Sequence, residues 1–328
     1  MEFHSVDLIE CSPTSAGTWT DCDLDTYIAD LPDDVCGVQL SFRNTRTTYD
    51  YQIAARCNGS TFELYKELYR NTQTTVSIGV DASKIFEVKI KNTTYIDVLI
   101  SGYYTGTDII FFVNPVDKST ATINEYVDVD CSANVSSSAV GVFGHICNNN
   151  AAIKSISIRK NGSTDDRYYG LMKNFSALGF IIGIDENKIF EQKIGSADID
   201  IYINGYIDST AAVFNTNATD YSLTETATPV DLNALPSGAI AGIYEVVDAS
   251  SYLISLSYSY FLRKHGFTNS NYQTVNRRNY SVIEGLAQGQ IANTTVDFWL
   301  IGYFLSENSG QIAITPKYGK MLKHIATR

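Results

Sequence analysis

Cysteine, histidine and paired carboxylates are the residues that could do chemistry in this 328-residue chain, and their spacing is the first thing to weigh. The histidines, at 4, 145, 265 and 324, share no pattern. His145 and Cys147 are two apart, a spacing that in a strand places both on one face. That suits a core or edge position as readily as a Cys–His dyad. No HExxH, GxxxxGK, GxSxG or GxGxxG occurs. The stretch DCDLD at 21–25 looks like the start of a calcium loop, but an EF-hand needs glycine at its sixth position and glutamate at its twelfth. Thr26 and Pro32 stand there. A looser calcium site on Asp21, Asp23, Asp33 or Asp34 is the alternative to an acidic, solvated loop. The six cysteines, at 11, 22, 36, 57, 131 and 147, form no CxxC pair and no zinc spacing. Buried free thiols are expected, with Cys22–Cys36 or Cys131–Cys147 disulfides only in an oxidising compartment.

The elements around these residues are more informative. Tyr (22 residues) and Phe (15) are abundant and only 18% of residues are charged. Aromatic and β-branched residues fit a pleated, half-buried surface, so the chain reads as all-β. The net charge of −12 is graded along it. Residues 1–115 carry 16 acids and 8 bases, 116–222 carry 13 and 8, and 223–328 carry 7 and 8. Overall acidity disfavours nucleic acid as a partner. No basic-then-apolar leader opens the chain and no stretch reaches membrane-spanning length, which points to folding where it is made, with no membrane partner. The basic end PKYGKMLKHIATR reads as a solvated terminus or as a dock for an acidic surface.

Four landmarks recur in order. The first is a strand-like run around glycine: VCGVQLSF (35–42), AVGVFGHI (139–146) and IAGIYEVV (240–247). The second carries Arg56, Arg159 and Arg263 before a turn: AARCNGST, SIRKNGST and FLRKHGFT. The third is VSIGVDASKIFEVKI (76–90) and FIIGIDENKIFEQKI (180–194), matched loosely by VIEGLAQGQI. The fourth is IDVLISGYY, IDIYINGYI and VDFWLIGYF, with Asp97, Asp200 and Asp297 five residues before Gly102, Gly205 and Gly302. Because Glu87 and Glu191 recur in the third landmark, they read as structural rather than as a glycosidase pair.

Each landmark has a β meaning. Alternate residues of IDIYINGY face opposite sides of a sheet, NGS supplies the positive φ of a tight turn, and D-A-S-K or D-E-N-K is an Asp-initiated turn. STFELYKELYRN (60–71) has helix-like spacing but could equally be an aromatic strand. Strand runs about every ten residues predict three tandem repeated, jelly-roll-like β-sandwich domains of about 100 residues, at 1–115, 116–222 and 223–328. The recurring Arg and Asp are expected to pair as Arg56–Asp97, Arg159–Asp200 and Arg263–Asp297 across adjacent strands; a ligand-binding Arg in each copy is the functional alternative.

DLDTYIADLP and DLNALP, RCNGS and RKNGS, GVDASKIFE and GIDENKIFE, then ISGYY, INGYI and IGYF together resemble small β-sandwich domains of virion proteins from tailed phages and related viruses. The resemblance spans nearly the whole chain, although the middle copy lacks the L-P opening. It implies a non-enzymatic particle component, namely a capsid decoration, head-fibre or tail protein made in the host cytoplasm and carried in the virion. Its expected partners are other virion proteins and itself, as a homo-oligomer and in particular a trimer. A cell-surface or extracellular filament subunit is the alternative, as is an adhesin binding a host-surface glycan through equivalent exposed Tyr or Trp. The reading calls for no catalytic residue, cofactor or metal. Eight N-x-S/T sequons, at Asn58, Asn92, Asn134, Asn161, Asn174, Asn217, Asn279 and Asn293, matter only in a secretory or archaeal-surface setting.

Overall fold

The computed structural model describes residues 2–167, 170–172, 175–224, 228–248, 259–267, 273–274 and 278–306. The basic terminal stretch, His324 and Asn174 lie outside them. Among the described residues one four-residue helix, Leu24–Tyr27, interrupts an otherwise all-β chain, and no helix is long and apolar enough to cross a membrane.

Among the described residues the strands fall into three sets of eight. The first set comprises β1 (Glu2–Glu10), β2 (Thr20–Asp23), β3 (Val35–Asn44), β4 (Tyr51–Cys57), β5 (Lys66–Leu68), β6 (Thr72–Gly79), β7 (Ile85–Ile90) and β8 (Ile96–Thr105). The second comprises β9 (Ile109–Asp117), β10 (Val127–Asp130), β11 (Ala139–Asn148), β12 (Lys154–Lys160), β13 (Gly170–Met172), β14 (Ala177–Gly183), β15 (Ile189–Ile194) and β16 (Ile199–Asp208). The third comprises β17 (Ala212–Asp220), β18 (Val230–Asp231), β19 (Ala239–Asp248), β20 (Ser259–Lys264), β21 (Gln273–Thr274), β22 (Arg278–Glu284), β23 (Ala287–Ile291) and β24 (Val296–Leu305).

Each set builds two antiparallel four-stranded sheets in one order: β1-β8-β3-β6 with β2-β7-β4-β5, β9-β16-β11-β14 with β10-β15-β12-β13, and β17-β24-β19-β22 with β18-β23-β20-β21. We call each set a unit. In the first, Leu40, Val98 and Ile100 of one sheet bury against Phe86, Val88 and Ile90 of the other. The alternation expected in IDIYINGY is realised in β16, where Ile201 and Ile203 are buried while Asp200 and Tyr202 are half-exposed. Residues 109–115 begin β9, which pairs with β16, and β17 pairs with β24, so the links between the sets are residues 106–108 and 209–211.

The turns follow from side-chain chemistry. Asp81 Oδ1 accepts from the backbone of Ser83 and Ile85, both at 2.9 Å, and Asp185 Oδ1 accepts from Ile189 at 2.8 Å. Gly59 and Gly162 of the NGS turns take φ of 78° and 80°. STFELYKELYRN forms no helix; only Lys66–Leu68 is regular, as β5. Phe62 is drawn instead onto Tyr202 of the second unit, with ring centroids 4.9 Å apart.

Gly102, Gly205 and Gly302 follow a bulge at Ser101, Asn204 and Ile301 in each unit's last strand, where the register with β3, β11 and β19 shifts. The neighbouring first strand crosses them closely. A Cβ would lie 2.7 Å from the carbonyl oxygen of His4 at Gly102, 2.5 Å from that of Ile110 at Gly205 and 2.7 Å from that of Val213 at Gly302.

The three units all touch one another, and β6, β14 and β22 meet where they converge. Phe3 and Tyr104 of the first unit, Phe111 and Phe143 of the second and Phe304 of the third form one aromatic cluster around Tyr104. The graded charge read along the chain therefore does not lie along an extended molecule: the acidic first unit and the near-neutral third lie side by side.

Candidate functional site

Residues with chemical potential are largely spent on holding the fold. The expected Arg–Asp pairs do not form, because each Arg sits in one sheet of its unit and each Asp in the other. Arg56 forks onto Glu87 (Nε–Oε2 2.8 Å, Nη2–Oε1 3.2 Å) and Arg159 onto Glu191 with the same two distances. Arg263 meets Gln288 at 3.3 Å. Asp97 pairs with Arg43 at 2.5 Å, Asp200 accepts from Asn149 at 2.6 Å, and burial is the main cause raising the Asp297 carboxyl. The Arg56 and Arg159 guanidiniums each also cover an aromatic ring: Arg56 lies 3.9 Å from the centre of the Trp19 ring, and Arg159 lies 3.5 Å from that of Tyr126. Lys89 and Lys193 approach the same rings. Burial, with Asp166 beside it, pushes the Tyr126 phenol up to about 12. In the third unit Gln288 stands in the place of Glu87 and Glu191, opposite Asp231 as they are opposite Asp21 and Asp128.

His145 and Cys147 make no reactive dyad. His145 Nε2 faces Asn204 Nδ2 at 3.2 Å, and burial raises the Cys147 thiol far above the usual range. The acidic loop is likewise occupied: Asp23 caps the short helix, and Asp25 pairs with Lys84 at 3.2 Å. Among the described residues no group of three or more His, Cys, Asp or Glu could hold a metal ion. All six cysteines are free thiols, five of them buried and Cys36 half-buried, with neither Cys22–Cys36 nor Cys131–Cys147 bridged.

What the structure assembles from distant parts of the chain is a set of three seams. At the first, Phe111 enters a notch between Gly37 and Gly79, where a Cβ would lie 2.2 and 2.5 Å from the ring and its Cβ. At the second, Phe214 fills the corresponding notch between Gly141 and Gly183, at 2.2 and 2.5 Å. Asn114 Oδ1 and Asn217 Oδ1 then clamp the NGST turns of the preceding units, accepting from Ser60 Oγ at 2.8 Å and Ser163 Oγ at 2.9 Å. The motif F-x-x-N thus recurs at 111–114 and 214–217, a fifth landmark at the same interval as the others.

The third seam joins the last unit to the first without a covalent link and with different residues. Ser5 holds the place of the phenylalanines, opposite Gly102 as Phe111 is opposite Gly205, and Glu284 and Ala241 hold the place of the glycine pair. Ser5 N donates to Glu284 Oε2 at 2.9 Å and Glu284 N to Ser5 Oγ at 3.0 Å. Gln39 makes a matching two-way bond with the backbone of Val282, at 3.2 and 2.8 Å, and Asn279 Oδ1 accepts from Thr75 N at 2.9 Å. A bulky residue is thus matched to a notch at two seams and a polar one to a polar one at the third. Exchanging seams would leave either a void or a clash.

The second seam also contains a buried ion cluster. Glu245, fully buried, takes Arg167 Nε of the second unit at 2.8 Å and Arg278 Nη1 at 2.8 Å, with Tyr280 donating at 3.0 Å. Arg278 continues to the carbonyl of Arg167, and Arg167 to Asp165. Burial alone would raise the Glu245 carboxyl, but Arg167 and Arg278 outweigh it and hold it below the usual range.

At the first seam, burial pushes the His145 imidazole down to about 4. Ala55, Arg56, Cys57, Ile78 and Gly79 of the first unit share its cavity, with Asn204 beside it. The unfolded imidazole takes up a proton near pH 6.5, so the folded state loses stability as pH falls from about 6.5 towards 4. The loss approaches about 3 kcal/mol. Urea titrations at pH 7 and pH 4 should show it in the wild type and a much smaller drop in His145→Gln.

No family model matches the chain, and no curated protein matches it. Among solved structures it is similar to one described as the atomic structure of Sulfolobus Turreted Icosahedral Virus, at 10% identity over 93% of this chain and 91% of that one, TM-score 0.24. A second, described as the triple jelly roll fold and turret assembly in an archaeal virus, gives 10% identity over 93% and 90%, TM-score 0.25. A third, the tandem CBM22-1–CBM22-2 domain of Paenibacillus barcinonensis Xyn10C, gives 8% identity over 63% and 96%, TM-score 0.17. At these TM-scores none bears on what this chain does.

Proposed function

We propose that the chain is a non-enzymatic virion structural protein, a capsid decoration or projecting component that works through protein–protein contacts with other virion proteins and with itself. The observation that supports this most is the use made of the repeated polar residues. Arg56 and Arg159 are closed on Glu87 and Glu191, Asn114 and Asn217 are closed on neighbouring turns, and the charged group of Glu245 is closed on two guanidiniums. A fold that spends its polar side chains on holding its own sheets and neighbouring units together is suited to bearing load and presenting surfaces. The sequence resemblance to virion β-sandwich domains supplies the setting. In this reading each unit is a jelly-roll sandwich, and the three are the domains expected from the sequence with divisions at 106–108 and 209–211. The three-unit body is the tile from which a larger homo-oligomer, a trimer in the first instance, is assembled.

The test is the native mass by light scattering over a concentration series, followed by electron microscopy of the same sample. A discrete oligomer or a regular array on capsid protein is expected. A monomer at every concentration that also fails to bind capsid protein would overturn the proposal. One observation favours an adhesin as second reading: Trp19 and Tyr126, which immediately precede β2 and β10, sit beside the same Arg and Lys positions in two units. Glycan binding lost in Trp19→Ala and Tyr126→Ala would support it.

A further inference from the structure

Cys11 and Cys22 are the only pair of cysteines that the structure sets against each other among the described residues. Cys11 follows β1 and hydrogen-bonds through its backbone to Val98 in the first sheet of its unit, while Cys22 lies in β2 at the edge of the other sheet. Both are 2% exposed and belong to one core, and Cys22 Sγ lies 3.7 Å from the Cys11 carbonyl oxygen. The Cys22 thiol beside it, together with burial, raises the Cys11 thiol far above the usual range, while Cys11 lowers the Cys22 thiol against the burial that would raise it.

Their place in the fold gives the pair a purpose. β9 and β17, the counterparts of β1, are tied to a preceding unit by short links at 106–108 and 209–211 and by Phe111 and Phe214 in glycine notches. β1 carries Ser5 where β9 and β17 carry phenylalanine, and it is an edge strand paired on one side to β8. Yet Ser5 on this strand closes the third seam through Glu284. At the positions equivalent to Cys11, whose backbone bonds to Val98, the other units have Lys118 and Tyr221, bonded likewise to Ile201 and Phe298. At the position of Cys22, opposite Phe86, the second unit has Val129 opposite Phe190. The cysteine pair therefore occurs only in the unit whose first strand has no phenylalanine seated in a glycine notch.

We propose that Cys11 and Cys22 are a disulfide-forming site that fastens the seam-closing strand β1 to the opposite sheet of its own unit, with a small-molecule disulfide such as oxidised glutathione as the oxidant during folding. The Cys22 thiolate attacks one sulfur of glutathione disulfide and displaces a glutathione thiolate. The Cys11 thiol, giving up its proton to solvent, then attacks the mixed disulfide at Cys22 Sγ and releases the second glutathione. Two protein thiols are oxidised to one S–S bond and one glutathione disulfide is reduced to two thiols.

The full chain is refolded in a buffer containing oxidised and reduced glutathione, and in parallel with reductant alone. After removal of glutathione, the first sample is expected to be 2 Da lighter, to yield a Cys11–Cys22 cross-linked peptide without reduction, and to unfold several degrees higher than the second. Cys11→Ser and Cys22→Ser should each abolish both the cross-linked peptide and the gap between the two buffers while folding normally in reductant. Six titratable thiols in the unfolded, glutathione-refolded protein would overturn the proposal, and so would a bridge mapped to another pair.

Discussion

Replacing Glu245 by alanine is expected to destabilise the protein by about 3–5 kcal/mol, because it leaves the Arg167 and Arg278 guanidiniums buried without their shared anion. Arg278 is 1% exposed and Arg167 5%, so water cannot take the place of the carboxylate without opening the second seam. Tyr280 would lose the acceptor of its hydroxyl in the same step. Glu245→Gln keeps the shape and some hydrogen bonds but not the charge, and should lie between alanine and wild type. Guanidinium titrations of the three proteins check the order. The pH dependence follows from the direction of the shift. A carboxyl held below its unfolded value contributes stability that is complete above the unfolded value, about 4.3, and is lost as pH falls through the folded one. His145 acts earlier, between about pH 6.5 and 4, so the first seam should weaken in mild acid before the second.

Phe214→Ala should cost about 3–5 kcal/mol, the range for deleting a buried aromatic side chain. Its ring packs against Gly141 and Gly183 of the second unit and Gly302 of its own, where no Cβ could be accommodated. The void it leaves is bounded largely by backbone, which collapses poorly. Gly183→Val tests the same contact from the other side, since its Cβ would lie 2.5 Å from that of Phe214. Differential scanning calorimetry of both variants should show large losses, and the double variant should lose less than their sum if the two changes act at one contact. Purely additive losses would show that the notch and the ring are not a matched pair.

Much of each unit was legible in the chain because it depends on local patterns. Gly102, Gly205 and Gly302 could be found by spacing, and their cause, a neighbouring strand crossing above a bulge, is the same in every unit. Asp81 and Asp185 could be found because an Asx turn is a matter of four residues. The pairing of Arg56 and Arg159 went astray because spacing along the chain does not say which sheet a strand joins. Glu87 and Glu191, directly opposite across β7 and β15, were in the recurring phrase throughout. Gly242 was aligned with Gly37 and Gly141, but β19 places Ala241 opposite Glu284 where they stand opposite Gly79 and Gly183. The sequence pattern is displaced by one residue there because this notch no longer has to receive a phenylalanine.

The seams were least legible. Ser5 and Glu284 are 279 residues apart and differ from their counterparts, so their pairing is invisible to a search for likeness. Only the complementarity of the two differences, seen once β1 lies against β22, shows that they belong together. Helix-like spacing in STFELYKELYRN was overridden for a related reason, with Phe62 and Lys66 committed to Tyr202 and Asn149 of the next unit.

That three units close on one another within a single chain is tested most directly by small-angle X-ray scattering on the monomeric fraction as it leaves a sizing column. A closed body of 328 residues should give a radius of gyration of about 20 Å and a single compact peak in its distance distribution. Three units strung end to end, with the Ser5–Glu284 seam unmade, would give about 30 Å and a long tail, and that result would contradict the closure on which the assignment of the seams rests.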